Sequence, residues 1–234
     1  MKQSKSSKAW LREHFSDPHV QRSRELGYRS RASAKLLEIQ RRDRLVKPGM
    51  TVVDLGAAPG GWSQVAVEFA GAGGRVVAVD LLPMAPIAGV DFVRGDFAEA
   101  QVLEEVLARL GGAGAELVIS DMAPNISGVK GIDQPRAMAL AELAWDLARR
   151  ALARGGSLLV KVFQGEGCEA FRASLRVDFA AVKTRKPDAS RARTSEVYLL
   201  ASGFRGQNEV CVPSPGQATG GGAGSGFGPE ERKP

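Results

Sequence analysis

The feature that most constrains the fold is the regular alternation of short apolar runs with helix-like segments. The first run, Thr51-Val-Val-Asp-Leu55, ends at a glycine-rich turn and is followed by a helical segment from Trp62 to Ala70 and by a second run from Arg75 to Asp80. Two parallel strands need a crossover of this kind, and such crossovers are right-handed. The alternation therefore predicts a βαβ unit at the start of a sheet.

The alternation continues beyond this unit. We predict that Pro135 starts a long helix, because proline is tolerated in a first helical turn, and that Gly155-Gly156 stop it after Ala153. About seven strands with helices between them specify an α/β fold, with a Rossmann-like, mostly parallel sheet covered by helices on both faces. The other predicted elements are a basic amphipathic helix over 30–44 with Ala34, Leu37 and Ile39 on one side, helices over 99–110 and 169–175, and strands around 92 and over 116–121, 157–163, 179–183 and 195–201.

Positive charge is concentrated at the beginning of the chain. The 234 residues carry 32 Lys+Arg and 26 Asp+Glu, a net charge of +6. Residues 1–47 hold 13 of the basic and 5 of the acidic side chains, so the remainder has a small negative balance. This pattern favours a polyanionic partner, and the alternative is a solvated basic arm. We expect three parts: a basic arm and helix over residues 1–47, an α/β domain over 48–205, and a disordered Gly- and Pro-rich tail over 206–234.

The cysteine count and the hydropathy pattern limit the compartment. Cys168 and Cys211 are too few for a disulfide framework or a cysteine zinc site, which suggests a reducing environment. The basic N-terminus does not lead into an apolar signal segment, and no stretch of membrane-spanning length lacks charges. His14 and His19 have no partner pattern typical of metal binding. We therefore expect a cytoplasmic protein without a membrane span or a metal site.

A glycine-rich segment, Asp54-Leu-Gly-Ala-Ala-Pro-Gly-Gly-Trp62, lies where the first strand ends. That end of a parallel strand faces the ligand-binding edge of an open sheet. The segment lacks the Gly-Lys-Ser/Thr ending of a phosphate loop, and Ala58 stands where a dinucleotide fingerprint needs its second glycine. A ligand without phosphates fits this turn better. The residues of the segment predicted to bind it are Asp54, Gly56, Pro59, Gly60, Gly61 and Trp62.

Carboxylates also follow the next two strands. Asp80 is placed to accept hydrogen bonds from ribose hydroxyls, and Asp96 can accept one from an adenine amine while Phe97 offers an apolar contact. Asp54 can orient the glycine turn, whose backbone would hold an amino-acid group. S-adenosylmethionine meets these demands. For each carboxylate alone, the competing interpretation is a helix cap or a turn residue.

These segments, together with Asp80-Leu-Leu-Pro-Met84, Gly95-Asp-Phe97 and Ser120-Asp-Met-Ala-Pro-Asn125, are similar to those of the FtsJ/RrmJ (RlmE) family of ribosomal RNA 2′-O-ribose methyltransferases. The similarity runs from about Trp10 to Phe204. It implies the methyltransferase version of the Rossmann-like fold, S-adenosylmethionine as cofactor, and methylation of a uridine ribose in large-subunit RNA within the 50S particle by a monomer. Ala85 departs from the acidic residue often found in relatives, and the glycine-rich tail is a second departure.

The resemblance also implies a Lys-Asp-Lys-Glu tetrad, formed here by Lys35, Asp121, Lys161 and Glu196, with Asp121 also near the cofactor. Lys161 interrupts an apolar strand, where a charged side chain is costly unless it is paired or serves a site. Our hypothesis is that Lys161 accepts or stabilises the proton that leaves the ribose 2′-hydroxyl, while Asp121 and Glu196 position its ammonium group. The alternative interpretations are a Lys161 side chain that reaches past the strand end to water and, for Lys35, a solvated side chain of a basic helix.

The basic arm and a basic loop late in the chain are expected to hold RNA phosphates. Tyr28 and Trp10 are candidates for stacking on bases, although packing against the core is an equal alternative. Two other functions stay open, a methyltransferase that acts on another RNA position and a non-catalytic ribosome-assembly factor. The cations assigned to phosphate contacts are Arg22, Arg24, Arg29, Arg31 and the basic residues from Lys183 through Lys186 to Arg193.

Overall fold

The structure, a computed structural model, describes residues 21, 23, 25–190 and 194–206. Seven strands and five helices follow one another in this part of the chain. The helices are α1 (Ala32–Asp43), α2 (Gly61–Ala70), α3 (Ala100–Leu110), α4 (Lys130–Ala151) and α5 (Cys168–Asp178). The strands are β1 (Thr51–Leu55), β2 (Arg75–Asp80), β3 (Val90–Arg94), β4 (Ala115–Ser120), β5 (Leu152–Phe163), β6 (Phe179–Arg185) and β7 (Glu196–Phe204).

All seven strands form one sheet in the order β3-β2-β1-β4-β5-β7-β6. Strands β1 to β5 are mutually parallel, whereas β7 runs antiparallel to both of its neighbours, β5 and β6. The chain reverses its direction of crossing at β1 and β4, and ligands of open α/β sheets bind at the carboxyl ends of the strands near such a point. The predicted seven-stranded, mostly parallel α/β fold is confirmed.

Helices cover both faces of the sheet because side chains of each strand alternate between the faces. On one face, Val52, Leu117 and Leu159 pack with residues of α1 and α2. On the other face, Val53, Val118 and others pack with residues of α3, α4 and α5. We call the first the α1 face of the sheet. Odd positions of β4 and β5 and even positions of β1 and β7 point to it.

Helix α1 packs on the α1 face through a stripe that includes Ile39, as predicted, but otherwise differs from the predicted one. Leu36 and Ile39 are buried in the core, whereas Ala34 and Leu37 are only half-buried. The buried stripe also includes polar side chains, among them Lys35 and Gln40, and Gln40 exchanges two 2.7 Å hydrogen bonds with the backbone of Val46. A pattern based on apolar residues alone therefore misplaced the face that is buried.

Helix α4 begins at Lys130, so the prediction that Pro135 starts it is wrong by five residues. Asp133, in the first turn of the helix, holds the preceding segment. Its carboxylate accepts hydrogen bonds from the amides of Ser127 and Gly128 at 2.8 and 2.9 Å. These bonds lower the pKa of Asp133. A carboxylate in the first turn stabilises a helix start. Pro135 lies inside the helix, where its ring takes the place of one backbone donor.

Helix α4 ends at Ala151, and the predicted stop at Gly155-Gly156 is also wrong. Both glycines belong to β5, which begins at Leu152. Leu152 pairs with Ala115 of β4 and Ser157 pairs with Leu117, so a bulge separates the two pairs. Gly155 adopts a positive φ of 84° within this bulge. The glycines therefore permit an irregular strand rather than a break between elements.

The predicted three-part division stays a prediction, and several expectations lie outside the described residues. These are Trp10, His14, His19, Arg22, Arg24, Arg193, Cys211 and residues 207–234 of the expected tail.

Candidate active site

The register of the sheet brings the four predicted catalytic residues to one place. Lys161 of β5 is paired directly with Tyr198 of β7, and Asp121 follows the last residue of β4. Their positions give Lys161, Asp121 and Glu196 the same side-chain direction, toward the α1 face. Lys35 comes from the first turns of α1, which covers that face. We call Lys35, Asp121, Lys161 and Glu196 the tetrad.

Asp121 is the centre of the tetrad. Lys161 Nζ lies 2.9 Å from Asp121 Oδ1 and also donates to the backbone carbonyl of Asp121. Lys35 Nζ lies 3.8 Å from the same Oδ1 atom. The side chain of Lys161 is 6% exposed. A lysine at that depth is stabilised only when its ammonium is paired and hydrogen-bonded, and the two bonds to Asp121 supply this.

Glu196 pairs more closely with Lys35 than with Lys161. Its Oε1 atom is 2.7 Å from Lys35 Nζ, whereas its Oε2 atom is 4.0 Å from Lys161 Nζ. Ser190 Oγ donates a 2.8 Å hydrogen bond to Oε1. Glu196 is therefore placed to hold Lys35 directly, and it lies farther from Lys161. Our hypothesis had assigned it to the ammonium of Lys161.

Tyr198 is a fifth member of this network that sequence reasoning missed. Its hydroxyl donates a 2.5 Å hydrogen bond to Asp121 Oδ1, and its side chain is fully buried. Burial and the carboxylates of Asp121 and Glu196 raise the pKa of Tyr198 well above its usual value, so the hydroxyl remains a donor. The available signal was spacing, because Tyr198 stands two residues after Glu196 and shares its face.

Helix α1 is held over the tetrad by contacts with the segment between β6 and β7. The carboxylate of Glu38 accepts the amides of Asp188 and Ala189 at 2.6 and 3.0 Å. Asp43 forms a two-point ion pair with Arg185, with bonds of 2.8 and 2.6 Å. Planar two-point pairs of this kind fix orientation as well as distance. These contacts position Lys35 relative to residues of β4, β5 and β7.

Asp54 is buried beneath the glycine-rich segment. It is 1% exposed, and Ser63 Oγ donates a 2.6 Å hydrogen bond to its Oδ2 atom. Burial raises the pKa of Asp54 to about 7, with smaller contributions from the charges of Asp121 and Asp80 and an opposing one from Ser63. Asp54 therefore links β1 to α2, and the orienting role that the sequence suggested for it stays a prediction.

Asp80 and Asp96 each close a turn at the carboxyl end of a strand. Asp80 accepts the amides of Ala58 and Leu82 at 2.8 and 2.7 Å, one on each carboxylate oxygen. Asp96 Oδ1 accepts the amide of Ala98 at 2.9 Å. A carboxylate oxygen has two lone pairs, so these bonds leave acceptor capacity on both residues. The turn role and a ligand role are thus compatible, and the ligand role stays a prediction.

The glycine-rich segment itself has little free space around its backbone. Gly56 has a φ of +71°, and a side chain there would meet Met122 Cγ at 2.3 Å. At Gly60, with a φ of +108°, the nearest atom to an added Cβ is Ile87 Cδ1 at 2.6 Å. Both positions require glycine, because other residues rarely adopt positive φ and these neighbours are close. The segment 83–87 therefore lies against the glycine turn.

Arg29 holds the segment 83–87 in place. Its guanidinium donates to the carbonyls of Ala85 at 2.6 Å, Pro86 at 2.8 Å and Pro59 at 3.3 Å. A planar guanidinium can make several such bonds at once, which a lysine ammonium does with less geometric control. We had assigned Arg29 to RNA phosphates, and the structure uses it to join two loops beside the predicted cofactor site.

Two aromatic residues predicted at the cofactor site contribute to the core. Trp62 is 3% exposed, donates through Nε1 to the carbonyl of Ala32 at 2.7 Å, and packs on Tyr198 with ring centroids 5.6 Å apart. Phe97 is 7% exposed and belongs to the core on the other face. Their contact with a cofactor stays a prediction. Trp62 supports the tetrad through Tyr198 and α1.

Three of the other predicted phosphate-binding cations contact the protein itself. Arg31 donates to the carbonyl of Ala189 at 3.2 Å and Lys186 to that of Thr194 at 3.2 Å, while Arg185 pairs with Asp43. Lys183 is exposed. Tyr28, a stacking candidate, donates its hydroxyl to Glu68 of α2 and is half-buried. The assignments to RNA stay predictions.

The described residues show neither a metal-ion cluster nor a membrane-spanning helix. Residues 25–190, with the short described stretches on either side, contain no group of His, Cys, Asp or Glu side chains that could hold a metal ion. No helix in the same part of the chain is long and apolar enough to cross a membrane.

Comparisons with known proteins agree with this fold. The chain is 62% identical over 203 residues, 87% of its own length and 97% of the relative's, to the ribosomal RNA large subunit methyltransferase E of Chromohalobacter salexigens. It is similar in structure to a putative ribosomal RNA methyltransferase of Plasmodium falciparum, with a TM-score of 0.69 and 26% identity over 77% of this chain and 100% of that one. A putative hemolysin of Lactococcus lactis shares the fold alone, with a TM-score of 0.53 and 16% identity over 76% of this chain and 90% of that one.

The family match covers the region in which the tetrad and the carboxylates of β1 to β3 lie. Residues 28–204 match the FtsJ-like methyltransferases, and this stretch runs from the segment before α1 to the end of β7. The resemblance that the motifs suggested is confirmed. This chain belongs to the FtsJ-like methyltransferase family.

Proposed function

We propose that this protein transfers a methyl group from S-adenosylmethionine to the 2′-hydroxyl of a uridine ribose in 23S ribosomal RNA, within the assembled 50S subunit. The observation that carries the proposal is the pairing of Lys161 with Asp121 at the carboxyl edge of the sheet, next to three carboxylates at the ends of β1, β2 and β3. The large-subunit RNA as substrate is supported by the name of the 62% identical relative.

The residues at this edge fit S-adenosylmethionine. Asp80 and Asp96 have acceptor capacity for ribose hydroxyls and for an adenine amine, and among the described residues neither is in an ion pair with a lysine or arginine. The amides of Gly56, Ala57, Ala58 and Gly60 are already bonded within the protein, so it is the carbonyls of the glycine turn that can accept hydrogen bonds from the ammonium of an amino-acid moiety. When bound, the cofactor supplies a sulfonium methyl group, which is already electrophilic. The protein's main contribution is therefore to align the attacking oxygen with that methyl group.

Lys161 is placed to orient the attacking oxygen. A lysine ammonium has three N–H donors, and two of them are used by the carbonyl and the carboxylate of Asp121. The third can bind the 2′-oxygen of a ribose, which fixes the direction of its lone pairs. In its neutral form, Lys161 can instead accept the hydroxyl proton as the oxygen bonds to the methyl carbon. A pH–rate profile separates these two modes.

Lys35, Asp121 and Glu196 hold Lys161 in this geometry. The two carboxylates and the two ammonium groups have no net charge together, and their mutual ion pairs offset part of the cost of removing four charges from water. Lys35 joins α1 to the start of β7 through its 2.7 Å ion pair with Glu196. We propose that the protein acts as a monomer. We also propose a cytoplasmic location, where ribosomal particles would be accessible.

The direct test is nucleoside mass spectrometry after incubation with undermethylated 50S subunits and S-adenosylmethionine. We expect new 2′-O-methyluridine in the large-subunit RNA. The matched control is Lys161→Met, which keeps an unbranched side chain one atom shorter and removes its charge, and it should bind the cofactor but yield less than about 1% of the product. Cofactor binding by the native protein without a modified nucleoside would overturn the proposal. Near-normal transfer by Lys161→Met would overturn the role of Lys161.

A further inference from the structure

A second group of basic side chains surrounds a cavity at the opposite edge of the sheet from the tetrad. The cavity measures about 420 Å³ and lies beside the ends of strands at their amino edge. Its lining includes Leu45, Met50 and the four exposed cations Arg44, Lys47, Arg154 and Lys183. We call it the amino-edge pocket.

The amino-edge pocket lies on the same face of the sheet as the tetrad. Ser157 of β5 lines the pocket, and Lys161 stands four residues further along the same strand, with the same side-chain direction. Four residues of a strand span about 13 Å. Along α1, the eight residues from Lys35 to Asp43 span about 12 Å. A nucleic-acid strand advances about 3.4 Å per phosphate in a duplex, so roughly four phosphates bridge this distance.

The cations of the pocket are not neutralised by neighbouring carboxylates. Within the described part of the chain, none of the four is part of an ion pair. Of the two acidic residues in the lining, Asp43 is paired with Arg185, and Glu116 accepts the amide of Thr51 at 2.7 Å. The pocket therefore has a net positive charge and is open to an anionic partner.

Two irregularities of the backbone present arginines to this pocket. Arg44, at the end of α1, has φ 49° and ψ 51°, and it is the one non-glycine residue with positive φ among the described residues. Glycine or asparagine usually occupies this position at a helix end, because other side chains are strained there. Arg154 lies in the bulge of β5, and bulges redirect side chains. Both features leave the arginine side chain exposed at the pocket.

We propose that the amino-edge pocket binds backbone phosphates of the RNA that flanks the target nucleotide. This inference rests on the proposed RNA substrate and adds a contact about 12 Å from the reacting residues. The pocket increases affinity for the particle and does not take part in methyl transfer. RNA is the partner whose chemistry fits this pocket. The four exposed cations lie around an open cavity on the same face of the sheet as the tetrad, and a polyanionic strand can contact both places.

The first test measures equilibrium binding to undermethylated 50S subunits at several salt concentrations. We expect the triple variant Lys47→Gln, Arg154→Gln, Lys183→Gln to bind more weakly, with a salt-dependence slope reduced by about 0.7 to 0.9 for each phosphate contact removed. The matched control is Arg176→Gln, an exposed arginine of α5 on the other face of the sheet. An unchanged slope in the triple variant would overturn the inference.

Arg44→Gly separates a functional role from a structural one. Glycine accepts the positive φ without strain, so we expect the melting temperature to rise while affinity for the particle falls. If Arg44 instead stabilised the fold, Arg44→Gly would lower the melting temperature. Unchanged affinity together with a higher melting temperature would contradict a role for Arg44 in binding.

The kind of partner is identified by cross-linking. A photoreactive benzoylphenylalanine at position 154 of the full chain should cross-link to ribosomal RNA in the 50S particle. Cross-links to ribosomal protein alone would overturn RNA as the partner. The binding and cross-linking assays need no turnover. If the protein fails to form 2′-O-methyluridine but its variants lose RNA affinity, the proposed function fails and this inference stands.

Discussion

Lys161 and Tyr198 are direct partners across the β5–β7 ladder, and both donate to the same carboxylate oxygen, Asp121 Oδ1, at 2.9 and 2.5 Å. One strand pair thus presents an ammonium and a phenol to a carboxylate that follows a third strand. Because β7 runs antiparallel to β5, its first residues meet the last residues of β5. The antiparallel strand is therefore what adds Tyr198 and Glu196 to a site at the carboxyl edge of parallel strands.

Tyr198→Phe is expected to reduce the turnover number about tenfold, which corresponds to about 1.4 kcal/mol of activation free energy. The substitution removes one donor from Asp121 and keeps the ring that packs on Trp62. The melting temperature should change little, since Asp121 keeps its bonds to Lys161. Steady-state kinetics at several pH values are the measurement. A purely structural tyrosine would leave the pH–rate profile unchanged, and that result would contradict a positioning role.

Asp121→Asn should reduce methyl transfer more than Glu196→Gln does. Asp121 binds Lys161 at 2.9 Å, whereas the Glu196 carboxylate is 4.0 Å from Lys161 and 2.7 Å from Lys35. Loss of the Asp121 charge is expected to lower the rate by about 100-fold or more, and loss of the Glu196 charge by about tenfold or less. Single-turnover rates with saturating cofactor compare the two variants. Equal losses would contradict the central position of Asp121.

Stability should depend on pH through Asp54. Its pKa is raised from 3.8 to about 7 in the folded protein, so between about pH 4 and pH 7 the folded protein retains a proton that the unfolded chain has released. The contribution of Asp54 to stability is therefore present at low pH and is lost as the pH rises through 7, by an amount on the order of 4 kcal/mol.

The variant Asp54→Asn tests this pH dependence. Asparagine cannot ionise, and its carbonyl oxygen can still accept the hydrogen bond from Ser63. The stability of the variant relative to the native protein should increase between pH 5 and pH 8 in thermal melts. In Ser63→Ala the transition should move to higher pH, because the bond from Ser63 lowers the pKa of Asp54. A difference in stability that is constant from pH 5 to pH 8 would contradict the raised pKa.

Arg29→Lys is expected to weaken cofactor binding about three- to tenfold. The guanidinium joins the carbonyls of Pro59, Ala85 and Pro86, and an ammonium cannot match all three. Calorimetric titration with S-adenosylmethionine measures this effect. Arg31→Lys is the comparison, because Arg31 contacts the segment between β6 and β7 and should leave cofactor affinity unchanged. If Arg29→Lys weakens only RNA binding, the phosphate role suggested by the sequence is correct and the loop-joining role is not functional.

The elements of the sheet could be predicted from the sequence because their apolar runs are short, continuous and separated by glycines. The ends of α4 and β5 could not, because their boundaries depend on partners distant in the chain. Asp133 closes the start of α4 through Ser127 and Gly128, and the bulge of β5 is defined by its pairing with β4. A proline or a glycine shows where an irregular backbone is tolerated. Contacts with the neighbouring strand or with a capping side chain then determine where the helix or strand begins.

Lys161 shows what the sequence by itself determined. A lysine within an apolar strand, followed along the chain by Glu196 and preceded by Asp121, indicated a paired and buried cation, because an unpaired one is too costly. The family motifs likewise predicted the fold and the four members of the tetrad. The fold and the paired, buried state of Lys161 are confirmed, because they depend on local residue type and order, which a sequence records directly, whereas the catalytic roles of the tetrad stay predictions.

Only the tertiary structure decided how the members are paired and what supports them. It placed Glu196 closer to Lys35 than to Lys161, added Tyr198 to Asp121, and used Arg29 to join two loops. It also brought Arg44 and Arg154, which are 110 residues apart, to one pocket. The physical reason is that hydrogen bonds and ion pairs are sensitive to differences in distance of a few tenths of an ångström. These distances are set by strand register and helix packing rather than by spacing along the chain.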